Sequence, residues 1–282
     1  MEERVPSSQD TRFVGSIPEI YDRYLGPMLF VPYAEDLAAR LHLPSRAPAV
    51  LELAAGTGIL TKCLYDRLPH DAALVVTDLN EPMLAVAQRK LPATGSGPDV
   101  IWQMADGTAL PFADSRFDAV VCQFGVMFFP DKGAGAREAY RVLRPGGQWL
   151  FNVWGSLDAN PFARIAHDTI ARFFPDDPPG FLPIPFSMNS ESELRALVHS
   201  AGFADPEVTT LDIAVTAPSA ERAAIGLVRG NPTATAIEER GTVPIDEIVR
   251  AVREALAAEL GDSPMRSPAR VLAVSARKPG AS

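Results

Sequence analysis

Glu52, Gly56, Gly58 and Asp78 are the residues whose types and spacing point most directly to chemistry. The stretch Val50-Leu51-Glu52-Leu53-Ala54-Ala55-Gly56-Thr57-Gly58 reads as a buried strand that ends in an acid and runs into a tight glycine turn. Two glycines two apart remove the side chains that would hold a ligand away from backbone N–H groups. The next strand, Ala73-Leu74-Val75-Val76-Thr77, ends in Asp78, twenty positions after Gly58. A carboxylate about that far along reaches a ribose hydroxyl in a doubly wound sheet. The combination predicts an adenosine-containing ligand on a Rossmann-like sheet.

The turn also discriminates between adenosine ligands. A dinucleotide fingerprint needs a third glycine three residues after the second, and Thr61 stands there. A pyrophosphate prefers uncluttered N–H groups at a helix N-terminus with no acid nearby, and Glu52 is misplaced for that. S-adenosylmethionine fits better: it carries adenosine, no phosphate, an ammonium and a sulfonium. Glu52 then meets the ammonium, directly or through water or backbone; the alternative is a purely structural strand-end acid.

Strand and helix alternate around this stretch. A helix is expected from about Thr57 to Leu68, and another opened by Asn80 to about Leu91. Strands follow at 100–104 and 117–122, the latter after a loop carrying Asp106-Gly107. Asp131 caps a helix to Leu143, and Arg144-Pro145-Gly146-Gly147 turns into a strand at 148–153. Five apolar strands, each followed by a helix or turn, imply a parallel sheet covered on both faces. Strands at about 207–215 and 270–276 bring the count to seven. Upstream, residues 1–16 read as an irregular arm, and two short helices follow within 17–43. The second carries Pro32 in its first turn and Ala34, Leu37, Ala38 and Leu41 on one face. Tyr21 and Tyr24 lie between them, as core packing or as an aromatic cover over a ligand.

Asn160 and Pro161 open a further helix, and Ser190-Glu191-Ser192-Glu193 is a capping box for one ending at Gly202. Between these, the proline-dense run at 175–187 cannot be helix or central strand, yet it carries Phe181, Leu182, Ile184 and Phe186. It reads as a lid-like loop with buried anchors. Roughly fifty residues separate the last two strands, far more than a hairpin requires. They hold a helix at about 220–229 and another from Pro244 to Leu260, with Ile245, Ile248, Val249, Val252 and Leu256 on one stripe. The stripe is read as a cap over the site or as a homodimer surface. The organisation expected is therefore an arm with cap helices (1–44), a cofactor-binding core (45–216), a helical insertion (217–268), and a last core strand with tail (269–282).

A 47% hydrophobic fraction over 282 residues suits a globular chain with a substantial core. The net charge of -9, with no Lys/Arg run, argues against sequence-independent nucleic-acid binding. The first residues lack the apolar segment of a secretory signal, no apolar run reaches about 18 residues, and Cys63 and Cys122 read as buried free thiols. Together these predict a cytoplasmic protein with no membrane span and no metal site.

The residues L-E-L-A-A-G-T-G (51–58), V-T-D-L-N-E-P-M-L (76–84), A-D-G-T-A-L-P-F (105–112), F-D-A-V-V-C-Q-F-G (117–125) and R-V-L-R-P-G-G (141–147), in this order and spacing, resemble the class I S-adenosylmethionine-dependent methyltransferases. Within that family the likeness is to the ubiquinone/menaquinone C-methyltransferase group, over about residues 45–155. The resemblance implies that the turn Ala54, Gly56, Thr57 and Gly58 approaches the methionine part of the cofactor, though many relatives carry glycine where Ala54 stands. It implies Asp78 on the ribose hydroxyls, Leu79 and Met83 flanking the adenine, and Asp106 with the Gly107 N–H on the adenine edge. Gln123 and Phe124 fall on the methionine or sulfonium side, while Phe124, Phe128 and Phe129 read equally as core.

The expected activity is methyl transfer to an O, N or C nucleophile of a small-molecule acceptor by in-line displacement. Of His42, His70, His167 and His199, only His167 stands near the expected mouth, and it reads better as a solvated helix flank than as a base; no catalytic residue is assigned. Two other classes remain open: a cofactor-binding partner protein that transfers nothing, and an NAD(P)-dependent oxidoreductase, which Thr61 and Glu52 argue against.

Overall fold

Strand order reverses beside the strand Ala49–Glu52, and everything that forms the site hangs from that reversal. In the computed structural model, residue 13 and residues 15–43, 46–92 and 97–280 are described; most of the arm expected at 1–16 lies outside them. In chain order the strands are β1 (Ala49–Glu52), β2 (Ala73–Asp78), β3 (Asp99–Met104), β4 (Phe117–Gln123), β5 (Leu143–Trp154), β6 (Ala204–Asp212), β7 (Val215–Ala217), β8 (Met265–Ser267) and β9 (Arg270–Arg277). Seven form one sheet in the order β3-β2-β1-β4-β5-β9-β6. The strands β1 to β5 pair in parallel, and β9 lies antiparallel between β5 and β6. This is the Rossmann-like arrangement expected.

The helices are α1 (Ile17–Ile20), which continues through a π-helix (Tyr21–Phe30) into α2 (Val31–Ala39), then α3 (Ile59–Arg67), α4 (Glu81–Gln88), α5 (Lys132–Val142), α6 (Pro161–Ala171), α7 (Glu191–Ser200), α8 (Ala220–Arg229), α9 (Thr233–Arg240) and α10 (Ile245–Leu260). Alternation along each strand splits the core in two. Val50, Leu74, Val76 and Val121 join α2 and α3 on one face through Leu37, Leu60 and Leu64. Leu51, Val75, Val120 and Phe151 join α5 to α7 on the other. With both faces covered, these strands read as unbroken apolar runs. Asp131 caps α5 through Ala134 N–H (2.8 Å), and Ser190 Oγ accepts from Glu193 N–H (3.4 Å) at the start of α7.

Several local expectations change. Asn160 is not a side-chain cap: its amide donates to the Ser156 and Arg270 carbonyls and its Oδ1 accepts from Arg270 N–H, tying the start of α6 to β9. The strand expected to run to Val215 stops at Asp212, and Val215 begins a separate two-stranded ribbon with β8. The α10 stripe is buried within the chain, with Ile248, Val252 and Leu256 inaccessible where α10 lies on α8 and α6. In turn α8 backs the π-helix: a Cβ on Gly226 would come within 2.7 Å of Leu25 Cδ2. The insertion thus buttresses the segment that carries Tyr21 and Phe30. Among the described residues no helix is long and apolar enough to cross a membrane, and no cluster of His, Cys, Asp and Glu could hold a metal ion.

Candidate active site

The turn after β1 is pinned from both neighbouring strands. Leu53 N–H donates to Val121 O of β4 (2.8 Å), and Ala55 N–H donates to Thr77 O of β2 (2.9 Å). Thr77 Oγ1 also donates to Glu52 O (2.8 Å). Gly56 and Gly58 hold φ of +56° and +78°, so the helix expected from Thr57 starts at Ile59 instead. The two glycines serve different ends. A Cβ on Gly56 would meet nothing within 4 Å, whereas one on Gly58 would stand 2.6 Å from Ala87 Cβ. Gly58 lets α4 pack against the turn, and Gly56 leaves the backbone open.

Beyond the carboxyl ends of β1, β2 and β4, where strand order reverses, lies a cavity of about 420 Å³. Open α/β sheets form ligand crevices at such switch points. Ala54, Gly56, Thr57, Asp78, Leu79, Met83, Asp106, Gly107 and Gln123 line it. Glu52 lies beneath the turn, 1% exposed, and Gly58 faces α4; neither lines the cavity. Phe124, Phe128 and Phe129 all do, while Phe124 and Phe129 also belong to the buried core and Phe128 packs against it, so they serve both; His167 does not line the cavity. Gly107 must be glycine for a local reason: a Cβ there would come within 2.5 Å of the Phe129 ring.

One wall was only half legible in the sequence. Tyr21 and Phe30 line the cavity, and their rings stack with centroids 4.9 Å apart at 16°. At about 100° per residue, positions nine apart fall on opposite sides of an α-helix; the wider turn of the π-helix brings both to one face. Phe13 closes on the edge of Tyr21 (5.8 Å) and on Phe181 of the proline-dense run (6.2 Å), while Phe181 stacks on Phe128 (5.9 Å). Phe13, Phe30, Asn80 and Pro130 carried no sequence signal as lining residues.

The charged groups of the lining, Asp78 and Asp106, are both acidic. Asp78 Oδ2 accepts from Gly56 N–H (2.8 Å), and its Oδ1 accepts from Asn80 N–H (2.7 Å) and from the Asn80 amide (3.3 Å). Burial raises the Asp78 pKa, against the pull of these bonds. Asp106 Oδ1 takes the backbone N–H (2.8 Å) and hydroxyl (2.7 Å) of Thr108. Both Glu52 carboxyl oxygens are buried without a hydrogen-bond partner, as are the hydroxyls of Thr57 and Thr61. Burial pushes the Glu52 carboxyl up to about 8, with Thr61 nearby opposing and the Asp78 charge adding to the rise. The Tyr21 phenol is pushed well upward by burial and by the charges of Asp78 and Asp22, so it stays protonated. The Gln123 amide donates to Phe30 O (2.8 Å), which ties the end of β4 to the end of the π-helix.

Comparison with known proteins places this geometry. A methyltransferase-domain family model matches residues 50–147. The ubiquinone/menaquinone biosynthesis C-methyltransferase UbiE of Escherichia coli (strain K12 / DH10B) is 30% identical over 183 residues, covering 61% of this chain and 72% of that enzyme. The chain belongs to the class I S-adenosylmethionine-dependent methyltransferases. The UbiE protein of Stenotrophomonas maltophilia (strain K279a) is 32% identical over 164 residues, 55% of this methyltransferase. The chain spans 65% of the length of that relative.

Solved structures share the methyltransferase fold at low identity. Haemonchus contortus phosphoethanolamine N-methyltransferase 2, in complex with phosphomonomethylethanolamine and S-adenosylhomocysteine, aligns at a TM-score of 0.59 and 16% identity, over 93% of this chain and 57% of its own. The [4+2]-cyclase SpnF aligns at 0.60 and 16%, over 98% of each chain. The family's cofactor is S-adenosylmethionine, and this methyltransferase's residues suit it. The charged lining residues are carboxylates, no Lys or Arg lines the described cavity, and an unpaired carboxyl waits under the turn. Those acceptors suit a diol and a cation and disfavour a pyrophosphate.

Proposed function

We propose that the chain transfers a methyl group from S-adenosylmethionine to an O, N or C nucleophile of an uncharged, largely apolar small molecule. The observation that carries the reading is the cavity at the sheet reversal, acidic at its cofactor end and aromatic elsewhere. In this reading Asp78 holds the ribose hydroxyls, with its carboxylate preset by Gly56 and Asn80. Leu79, 53% exposed at the mouth, and buried Met83 flank the adenine. Asp106 and the Gly107 N–H serve the adenine edge, and Ala54, Gly56 and Thr57 of the turn accept the methionine part, with Gly58 only letting α4 pack behind it. Glu52, deprotonated, balances the ammonium from below, and Gln123 and Phe124 border the sulfur.

When bound, S-adenosylmethionine supplies a methyl group already activated by its sulfonium. The chain's task is then alignment and exclusion of water. Holding a nucleophile in line can supply about 7–11 kcal/mol of the barrier without a catalytic side chain. That fits the lining: among the described residues it contains no histidine, and Tyr21 remains a neutral hydrogen-bond donor. Phe13, Tyr21, Phe30 and Phe128 present an apolar wall to the acceptor, and the proline-dense run backs it through Phe181 as a lid. Neither the helical insertion nor α6 reaches the lining.

The experiment is methyl transfer from isotopically labelled S-adenosylmethionine to acceptors matched in shape but differing in charge. Label should pass to neutral phenolic, enolic or amine acceptors and not to their phosphorylated counterparts. Transfer only to phosphorylated acceptors contradicts the reading of the apolar wall. No transfer to any acceptor, with cofactor binding intact, favours the non-catalytic partner.

A further inference from the structure

Asn152 is fully buried in β5, and its side chain is spent on one backbone group. Its Oδ1 accepts the N–H of Phe124 at 3.0 Å, and its own carbonyl shares the same N–H at 3.2 Å. Phe124 is held at φ +51°, a conformation that non-glycine residues rarely adopt and that persists only where its surroundings impose it. The Phe124 ring then lies flat on Trp154, centroids 4.4 Å apart at 12°. Trp154 stands two residues beyond Asn152, so both leave β5 on the same face. Phe124 lines the cavity beside Phe30, 5.6 Å away.

The turn it begins has no slack. A Cβ on the next residue, Gly125, would come within 2.5 Å of Ala54 Cβ and 2.6 Å of Cys122 Sγ, and Ala54 itself holds φ +51°. Two left-handed turns, after β1 and after β4, therefore interlock where the cavity narrows. For the fold alone asparagine is a poor choice here, because its Nδ2 is buried without a partner. The side chain thus leaves its donor unsatisfied while its acceptor holds a strained lining residue.

We propose that Asn152 is a positioning residue: by locking Phe124 in its left-handed conformation it fixes the wall at the reactive end and so sets how the cavity distinguishes ligands that differ only at sulfur. The proposal rests on the S-adenosylmethionine reading. Affinities for S-adenosylmethionine, S-adenosylhomocysteine and adenosine are measured by calorimetry on the wild type and on Asn152→Ala, Asn152→Asp and Phe124→Leu. Asn152→Ala should change the ratio of the first two affinities by at least threefold, leave adenosine within twofold, and flatten the near-ultraviolet circular dichroism of the Trp154 stack. Asn152→Asp retains the acceptor oxygen and should restore the ratio. Should Asn152→Ala fail to fold, Phe124→Leu, which leaves the β5 partner in place, should shift the same ratio. Equal weakening of all three ligands, or no change in the ratio, overturns the positioning role alone. A wild type that binds none of the three overturns the cofactor reading, and this proposal with it.

Discussion

Glu52 joins stability and ligand binding in opposite directions, and both can be measured. Its carboxyl is 1% exposed, has no hydrogen-bond partner and is pushed up to about 8. In the ligand-free protein at pH 7 the carboxyl is mostly protonated, so the observed affinity for a ligand bearing an ammonium lies below its high-pH limit. The perturbation is pH, with Glu52→Gln as reference, because the amide mimics the protonated acid. The assay is calorimetric titration with S-adenosylhomocysteine from pH 5.5 to 9. The wild type should gain affinity over the variant by up to tenfold per pH unit as pH approaches 8, then level off. Loss of the ligand's own ammonium proton at higher pH lowers the wild type more than the variant, because only Glu52 pairs with that charge, so the rise in the ratio is read below that titration. Stability runs the other way. A carboxyl raised in the folded state contributes stability that is full below its unfolded pKa near 4.5 and is lost as pH rises through about 8. At about 1.4 kcal/mol per tenfold in proton affinity, the wild type forfeits on the order of 5 kcal/mol across that window and Glu52→Gln does not. Ligand-free Glu52→Gln should therefore unfold at higher denaturant than the wild type at pH 8 while binding more weakly. A wild-type to variant affinity ratio independent of pH, or equal stabilities at pH 8, would refute the reasoning.

Further outcomes follow from the same geometry. Asp78→Ala removes a carboxylate that holds Gly56 and Asn80, and at about 1.5–3 kcal/mol per charged hydrogen bond it should weaken S-adenosylhomocysteine binding by at least tenfold; unchanged affinity in calorimetry sinks the ribose assignment. Gly58→Ala places a Cβ 2.6 Å from Ala87 Cβ at φ +78° and should cost about 2–4 kcal/mol in urea unfolding, against about 1 kcal/mol for Gly56→Ala, whose Cβ would be free. Ala54→Gly relieves a left-handed alanine at φ +51° and should raise stability by up to about 1 kcal/mol in the same assay.

The core of the fold was legible because its signals are local and repeat along the chain. Unbroken apolar strands such as Leu74–Val76, the caps at Asp131 and Ser190, and the glycine turn each state their own conformation. Asp78 was legible because a strand end and a fixed spacing define where it stands. What escaped depends on packing between distant segments. Gly58 reads as a ligand glycine until α4 is seen pressed against it. Asn160 has the composition of a cap, yet β9 offers it better partners. Tyr21 and Phe30 share a wall only because the intervening helix widens, which the 3.6-residue rhythm hides. The α10 stripe was plain in sequence, but whether it faced the site, a second copy or its own chain depended on α6 and α8.

The most direct test of the central claim is a calorimetric titration of the wild type with S-adenosylhomocysteine, beside NADH at the same concentrations, backed by thermal unfolding. S-adenosylhomocysteine should bind at about one site per chain, and at about 100 times its Kd it should add about 2.7 kcal/mol of stability, while NADH should leave both signals unchanged. Binding of NADH in place of S-adenosylhomocysteine would contradict the account and make the glycine turn a dinucleotide site.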